Sequence, residues 1–587
     1  MSATVLKPVD VVTVGVGLTG SILGLELVGA GQRVVGLERG PFRGVHPDFD
    51  LPGIHDELRY AVRHELAQDV SRETLSFRNR MDQTALPMRQ LGSFLPGEGL
   101  GGAAAHWNGQ CWRFLPWDFE TRSRTEARYG KNVFDQECTS ADWGVSYEEL
   151  EPYYDHFEKV FGIGGAAGNL RGEIHPGGNP FEGPRQSPYP NPPTPESHAG
   201  SLFSAAARAR GFKPFPGPSA NMTAPYTNPY GLTLAPCVYC GYCERFGCEM
   251  NAKASPQSAL LPKLLAHPNY ELRTGANVTG LELDSERRRI TAVRYVDASG
   301  QEFEQPAELV LLTSYVFNNV KHLLLAGIGA PYDPKTNTGS VGRNYAYQCS
   351  SSVTAFFDDK VFNRFIGAGS LGRCVDEFNG DNFDHAGLGF VGGGYLCCDS
   401  SGARPIQGID LPDGTAPWGG EWKRAVAHYY DRSLNIRGHG GVQSYRGNYL
   451  DLDPTYRDAY GLPLLRLTFD YRDNERRMAT YLARQCESIL REMKPSHVNA
   501  AQIPGTYSIV PYQTTHNTGG AIMGTDPGRS AVNRYLQSWQ VPNLFVIGAS
   551  AFPQNAGYNP TGTVGALSYW VAAAIKDRYL KQPGALA

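Results

Sequence analysis

The sequence predicts an α/β (α+β) chain: a Rossmann-like dinucleotide-binding domain, discontinuous in sequence, joined to a second domain built on an antiparallel sheet. Three observations lead there. A strand, glycine turn, helix and strand open the chain between Asp10 and Glu38, and a second buried-strand pattern, Asn543 to Pro553, recurs at the far end. The chain of 587 residues also exceeds the roughly 250–300 residues that one hydrophobic core sustains.

In the opening unit, Asp10-Val-Val-Thr-Val-Gly15 reads as a strand, and an apolar-periodic stretch through Leu27 reads as a helix. Gly15 allows the tight turn, Gly17 lets the backbone approach a pyrophosphate, and Gly20 lets the helix pack close to the strand. The free N–H groups of the helix then point at the phosphates. Glu38 ends the second strand eighteen residues after Gly20, where an acid accepts hydrogen bonds from a ribose hydroxyl. G-x-G-x-x-G can arise by chance in a glycine-rich chain, but strand, helix and acid together point to a dinucleotide site.

Further segments add to the same sheet. Tyr270-Glu-Leu-Arg-Thr-Gly-Ala-Asn-Val278 and Glu308-Leu-Val-Leu-Leu312 read as strands, and Asn543-Leu-Phe-Val-Ile-Gly548 as a buried strand ending in small residues. Asn559-Pro560-Thr561 precedes an apolar helix through about Ile575, with Pro near its start and Thr as a capping residue. A helix N-terminus beneath a flavin would stabilise negative charge on the ring, so the distant C-terminal strand and helix favour flavin over nicotinamide. The expected division is 1–115, first part of the FAD-binding domain; 116–235, an insertion towards the substrate domain; 236–254, a cysteine loop; 255–345, second FAD part; 346–510, the substrate domain roofing the flavin; and 511–587, third FAD part with catalytic loops. The Pro/Asn/Gly-rich stretch 176–230 is expected as extended loop.

Composition excludes several functions. No apolar run reaches the ~18 residues of a membrane span, and a net charge of −4 offers no field for nucleic acid. The 68 glycines and 41 prolines follow no period and read as turns and close backbone approaches. No charged n-region and apolar h-region precede the first strand, which taken alone predicts a cytoplasmic chain.

The odd total of 11 cysteines argues against a complete disulfide framework. Seven are scattered, whereas Cys237, Cys240, Cys243 and Cys248 fall within twelve residues with spacing C-x2-C-x2-C-x4-C. The run nearly matches the ferredoxin-type C-x2-C-x2-C-x3-C-P, with one more residue in the last gap and Glu249 in place of proline. Structural zinc on thiolate pairs is the alternative, and two disulfides a poorer third.

Together with Gly99-Leu-Gly-Gly102, His106-Trp107-Asn108, Phe317-Asn-Asn319, Thr515-His516-Asn517-Thr518-Gly519-Gly520 and Asn555-Ala-Gly-Tyr-Asn559-Pro-Thr-Gly-Thr563, the chain resembles the glucose-methanol-choline (GMC) family of flavin oxidoreductases over most of its length. Within it, these strings and Leu91-Gly-Ser-Phe-Leu-Pro-Gly-Glu98 look most like the flavoprotein subunits of membrane-bound gluconate-type dehydrogenases and related polyol and keto-sugar-acid dehydrogenases. The resemblance implies His516 as catalytic base and Asn559 in the place of a second His or Asn. A neutral imidazole in reach of the substrate hydroxyl would take its proton, while Asn559 would fix that hydroxyl. The bland readings are an exposed turn for His516 and a helix cap for Asn559.

Residues expected around FAD are Gly15, Gly17, Gly20, Glu38, Gly102 and His106. To these are added Trp107, Asn108, Val278, Gly548, Asn559 and Thr561. His106 resembles the histidine that pyranose 2-oxidase-like enzymes bond to the flavin 8α-methyl group, with a buried hydrogen-bonded loop residue as the other reading. For the cysteines the resemblance implies an iron–sulfur cluster, 3Fe-4S preferred over 4Fe-4S; if three bind, Cys237, Cys243 and Cys248 match and Cys240 is spare. A one-electron relay suits a haem acceptor, because hydride arrives as an electron pair.

The expected function is FAD-dependent oxidation of a secondary alcohol of a sugar acid, sugar or polyol. Electrons would pass through the cluster to a cytochrome c subunit. A small signal-bearing subunit would carry the complex to the periplasmic face of the bacterial inner membrane, with membrane contact only through partners. The alternatives are a sugar oxidase using oxygen directly, or a non-catalytic flavin-binding subunit with structural zinc. A sugar acid would need a cation, preferably a bidentate Arg, which the sequence does not single out.

Overall fold

The computed structural model describes residues 3–50, 66–89, 96–402, 409–510 and 515–586. Residues 91–95 of the Leu91–Glu98 string therefore lie outside the described residues. Strand β1 (Val9–Val14) leads into helix α1 (Leu18–Gly29) and strand β2 (Val34–Glu38). Every residue of β2 is buried, as in a parallel strand covered on both faces. The turn into α1 requires glycine: Gly15 has φ +92°, and a Cβ there would stand 2.8 Å from Ser314 Cα. A Cβ at Gly20 would stand 2.1 Å from the Gly15 carbonyl oxygen, so only glycine lets α1 lie this close to β1.

Strand β3 (Tyr270–Thr274) runs parallel to β2 with Tyr270 opposite Val34. Strands β4 (Asn277–Leu283), β5 (Ile290–Val296) and β6 (Glu302–Leu312) form an antiparallel meander. The C-terminal half of β6 pairs parallel with β1, Leu312 opposite Val14, and gives the order β3-β2-β1-β6-β5-β4. Helix α2 (Tyr315–Ala326) follows β6.

The second sheet contains β7 (Cys349–Phe356), β8 (Gly372–Val375), β9 (Gly394–Asp399) and β10 (Ser433–Gly440), in the antiparallel order β7-β10-β9-β8. Helix α3 (Asp473–Glu492) buries Met478, Leu482, Cys486 and Ile489, a stripe at helical spacing. It lies against one face of this sheet, where a Cβ at Gly440 would stand 2.4 Å from Met478 Cε and one at Gly438 3.0 Å from Leu482 Cβ. Arg437 and His439 alternate with Ile436 and Gly438 along β10 and so turn to the opposite face.

Strand β11 (Leu544–Val546) returns to the first sheet and pairs parallel with β6, Leu544 opposite Val310. Helix α4 (Thr561–Ala574) then packs against α1 and the helix Tyr147–Phe161. One hydrophobic cluster joins residues of both sheets and α3, including Val11, Leu312, Leu396 and Leu482.

Two expectations are corrected. The stretch 176–230 contains the α-helix His198–Ala209, capped by Ser197, whose Oγ accepts from Gly200 N at 3.0 Å. Its buried Phe203, Ala206 and Ala207 pack inwards, so helical periodicity prevails over the surrounding prolines. In addition, Pro463–Thr468 pairs in parallel with Leu75–Arg78, so a strand from 346–510 forms a further sheet with a segment of 1–115. Among the described residues no helix is long and apolar enough to cross a membrane.

Candidate active site

A cavity of about 480 Å³ has Gly15, Gly17 and Glu38 in its lining together with Gln348, His439 and His516. The β1–α1 turn contributes its backbone: Gly17 is the extended N-cap of α1, and no acid in the first turn competes for the free N–H groups. Glu38 is held by two backbone donors, Val16 N at 3.0 Å and Gly40 N at 2.9 Å, and burial pushes its carboxyl up. Beyond it, Arg39 pairs with Glu73, and Lys321 donates to Glu73 at 2.6 Å and Asp458 at 2.7 Å. Burial opposes charge on Glu73, but Arg39 and Lys321 outweigh it and hold the carboxyl at about 2.

Of the residues expected around FAD, ten line this cavity. Gly20 does not, and acts through the α1–β1 packing described above. His106 does not either. Its ring is buried, its backbone carbonyl accepts from Arg245 N at 2.8 Å, and burial followed by the Lys253 charge lowers its imidazole to about 4. The capping expectation for α4 is also corrected: Pro560 is the N-cap, Thr561 is the first helical residue, and no side chain caps the helix. Its first N–H groups thus stay free beside a cavity lined by Thr561 and Val564. Free amides at two helix starts, a buried ribose-type acid and the aromatic Trp107 suit FAD.

The chemistry-bearing side chains meet away from the glycine turn. His516 is buried with φ +65°, a conformation in which a non-glycine residue is strained. Its Nε2 lies 2.7 Å from Asn559 Nδ2, and its carbonyl accepts from Asn555 Nδ2 at 2.7 Å. Gln348 Oε1 pairs with His516 Nδ1, while Gln348 Nε2 pairs with His439 Nδ1. An amide oxygen only accepts and an amide nitrogen only donates, so His516 carries its proton on Nδ1 and presents a bare Nε2 to Asn559. Burial, and then the Arg437 charge, lowers the His516 imidazole to about 3 and keeps it neutral. The Tyr395 hydroxyl lies 2.9 Å from Asn559 Oδ1 and 2.8 Å from Gln110 Oε1, and its ring stacks on His439.

Gln348, His439, Tyr395 and Arg437 escaped sequence reasoning. A usable signal existed on β10, where Asn435, Arg437 and His439 alternate with Leu434, Ile436 and Gly438.

The cysteine loop abuts this site. Lys253, buried, donates to three carbonyls: Trp107 at 2.6 Å, Cys243 at 2.7 Å and Phe246 at 2.8 Å. Trp107 lines the cavity, and Glu244 reaches it from the loop itself. Several thiols already accept N–H donors: Cys237 from Tyr239 N at 3.3 Å, Cys243 from Asn221 Nδ2 at 3.4 Å and Cys248 from Lys253 N at 3.4 Å. Burial pushes the Cys237 thiol up to about 12. Among the described residues no three His, Cys, Asp or Glu side chains are gathered as a metal cage. Four thiols in one loop, three of them accepting N–H···S bonds, nonetheless have the donor chemistry that a cluster takes. The other seven cysteines are buried free thiols.

Comparison with known proteins agrees with this layout. Two family models, both described as GMC oxidoreductase, match residues 231–349 and 444–568. The gluconate 2-dehydrogenase flavoprotein of Pantoea cypripedii is 50% identical over 100% of this chain and 96% of its own. The fructose dehydrogenase large subunit of Gluconobacter japonicus is 26% identical over 96% of this chain and 97% of its own. Among solved structures, pyridoxine 4-oxidase from Mesorbium loti shares the fold with a TM-score of 0.61 and 16% identity, covering 97% of this chain and 99% of that one.

Proposed function

Because the chain belongs to the GMC oxidoreductase family, FAD-dependent enzymes acting on CH–OH groups, we propose that it oxidises a secondary alcohol of a sugar acid, within the wider class of sugars and polyols. Full-length similarity to a gluconate 2-dehydrogenase flavoprotein supports the acid, and that to fructose dehydrogenase the wider class. The observation that carries the reading is the 2.7 Å contact of His516 Nε2 with Asn559 Nδ2, in the cavity that also takes in the Gly15–Gly17 turn.

A substrate hydroxyl entering between these atoms donates to Nε2 and accepts from Nδ2. The proton passes to His516, and Gln348 Oε1, already bound to Nδ1–H, steadies the resulting imidazolium. Asn559 keeps its N–H on the oxygen as negative charge develops. Bound FAD supplies the two-electron acceptor for hydride from the carbinol carbon. The backbone at Gly15 and Gly17, Glu38, Trp107, Asn108 and the start of α4 would hold it, and His106 would supply the covalent bond to the ring.

In this reading the cysteine loop would hold an iron–sulfur cluster, the three-iron form preferred, with Cys237, Cys243 and Cys248 as ligands and Cys240 spare, and the cluster would supply a one-electron relay. A cytochrome c subunit receives the electrons, and a small signal-bearing subunit carries the complex to the periplasmic face.

The test is anaerobic mixing of FAD-loaded protein with gluconate, followed by flavin absorbance and electron paramagnetic resonance. Gluconate should bleach the flavin, and His516→Ala should slow bleaching by about 10²–10⁴-fold while FAD stays bound. Unchanged bleaching in that variant would overturn the base assignment, and rapid peroxide formation in air would favour an oxidase. Iron with labile sulfide is expected; zinc without iron would sink the relay. Acid precipitation should leave a yellow pellet if His106 bonds the flavin, and yellow colour in the supernatant would overturn that bond.

A further inference from the structure

We propose that Arg437 is the receptor for the substrate carboxylate, which makes this residue the determinant that selects sugar acids over neutral sugars and polyols. The inference rests on the reading of the cavity as a carbohydrate-oxidising site and adds to it a substrate charge and the group that reads it.

Arg437 sits on β10 two residues before His439, on the face turned away from α3. Its side chain is exposed into the cavity that also contains Gln348, His439 and His516. The guanidinium is near enough to His516 to bear on that imidazole's proton, so an anion on it shares one small space with the reacting hydroxyl.

Among the described residues the Arg437 side chain makes no hydrogen bond and no ion pair within 4.0 Å. Two buried arginines are spent on carboxylates: Arg113 meets Glu151 at 2.9 Å and Glu158 at 2.7 Å, and Arg185 also meets Glu158. Protein around Arg437 removes part of its hydration, while the acids Asp399 and Glu244 favour its charge without closing an ion pair. Asp399 is engaged elsewhere, accepting from Cys397 Sγ at 3.3 Å and Gln110 Nε2 at 3.4 Å, and burial pushes its carboxyl up. Glu244 lies 3.9 Å from its own cation, Arg245.

A partly dehydrated guanidinium without a protein partner recovers most from a planar anion that accepts two parallel N–H bonds, which is the geometry of a carboxylate. The remaining lining nearby suits the rest of such a molecule. Ser350, opposite His439 on β7, and Gln110 offer neutral hydroxyl partners. A neutral polyol would use those groups and leave Arg437 unsatisfied.

The experiment compares D-gluconate with D-gluconamide, which keeps every hydroxyl and removes the charge. FAD-loaded wild type, Arg437→Gln and Arg437→Lys are mixed anaerobically with each, and the half-saturating concentration and limiting rate of flavin bleaching are read. In Arg437→Gln the preference for gluconate over gluconamide should fall about 30-fold or more, mainly in half-saturation. Arg437→Lys should recover part of it, because a point charge replaces the fork.

Equal weakening towards both compounds would mark Arg437 as structural and overturn the proposal. So would wild type bleached as readily by gluconamide as by gluconate, or by sorbitol and not by gluconate, although flavin-dependent alcohol oxidation would then stand. If none of the three bleaches wild type, the oxidation reading fails separately. Gluconate-induced perturbation of the bound-FAD spectrum, lost in Arg437→Gln, would still support the receptor, and its retention would overturn it.

Discussion

The Gln348 side chain accepts from His516 and donates to His439, so one amide sets the tautomers of two buried imidazoles. Neither assignment depends on solvent, because both rings are buried and neutral. Gln348→Leu removes the acceptor for Nδ1–H and frees His516 to present a protonated Nε2 to the substrate. We expect a loss of about tenfold or more in the limiting rate of flavin bleaching, with FAD still bound. The pH profile carries a second expectation. With His516 lowered to about 3 by burial and then Arg437, the base stays unprotonated as pH falls through 6.5, the ordinary imidazole value. The rate should hold level through that point, and its acid limb should move upwards in Arg437→Gln, where a cation beside the base is removed. A wild-type limb centred at 6.5 would refute the assignment. His516 and Asn559 were legible in sequence as members of a known string, whereas Gln348, just before β7, and Tyr395 and Arg437, in strands, have partners about 40 to 170 residues away.

At the level of elements, the β1–α1–β2 unit was readable because every requirement is local: a strand, a turn at φ +92°, and a helix start with free amides. Gly20→Ala places a methyl carbon 2.1 Å from the Gly15 carbonyl oxygen, and backbone cannot yield as a side chain does. The strain should cost about 1–3 kcal/mol and lower FAD content, both measurable by thermal melting and by flavin-to-protein absorbance. A variant that melts and loads FAD as wild type does would show that α1 is free to shift. The helix His198–Ala209 was missed because the prolines around it dominate local pattern, while its burial against the second sheet and α3 is set by residues far away in sequence.

Across the whole molecule, Lys253 ties the cysteine loop to the backbone of Trp107, so the loop and the FAD cavity share a wall. This juxtaposition makes the two halves of the proposed reaction separable. Cys243→Ser should lose the iron–sulfur signal and electron delivery to cytochrome c, yet still bleach its flavin with gluconate under anaerobic conditions. Loss of bleaching along with the signal would mean that the loop supports the cavity more than a relay. The sequence by itself determined the dinucleotide turn and the cysteine run, because each is a short string whose chemistry follows from adjacent residues, and its resemblance to a family singled out His516 and Asn559 as candidates. Only the tertiary structure decided that Gln348 orients His516 and that Arg437 faces the cavity beside it. Those facts depend on which strands pair and which sheet face α3 covers, and pairing at long separation leaves no local trace in composition or spacing.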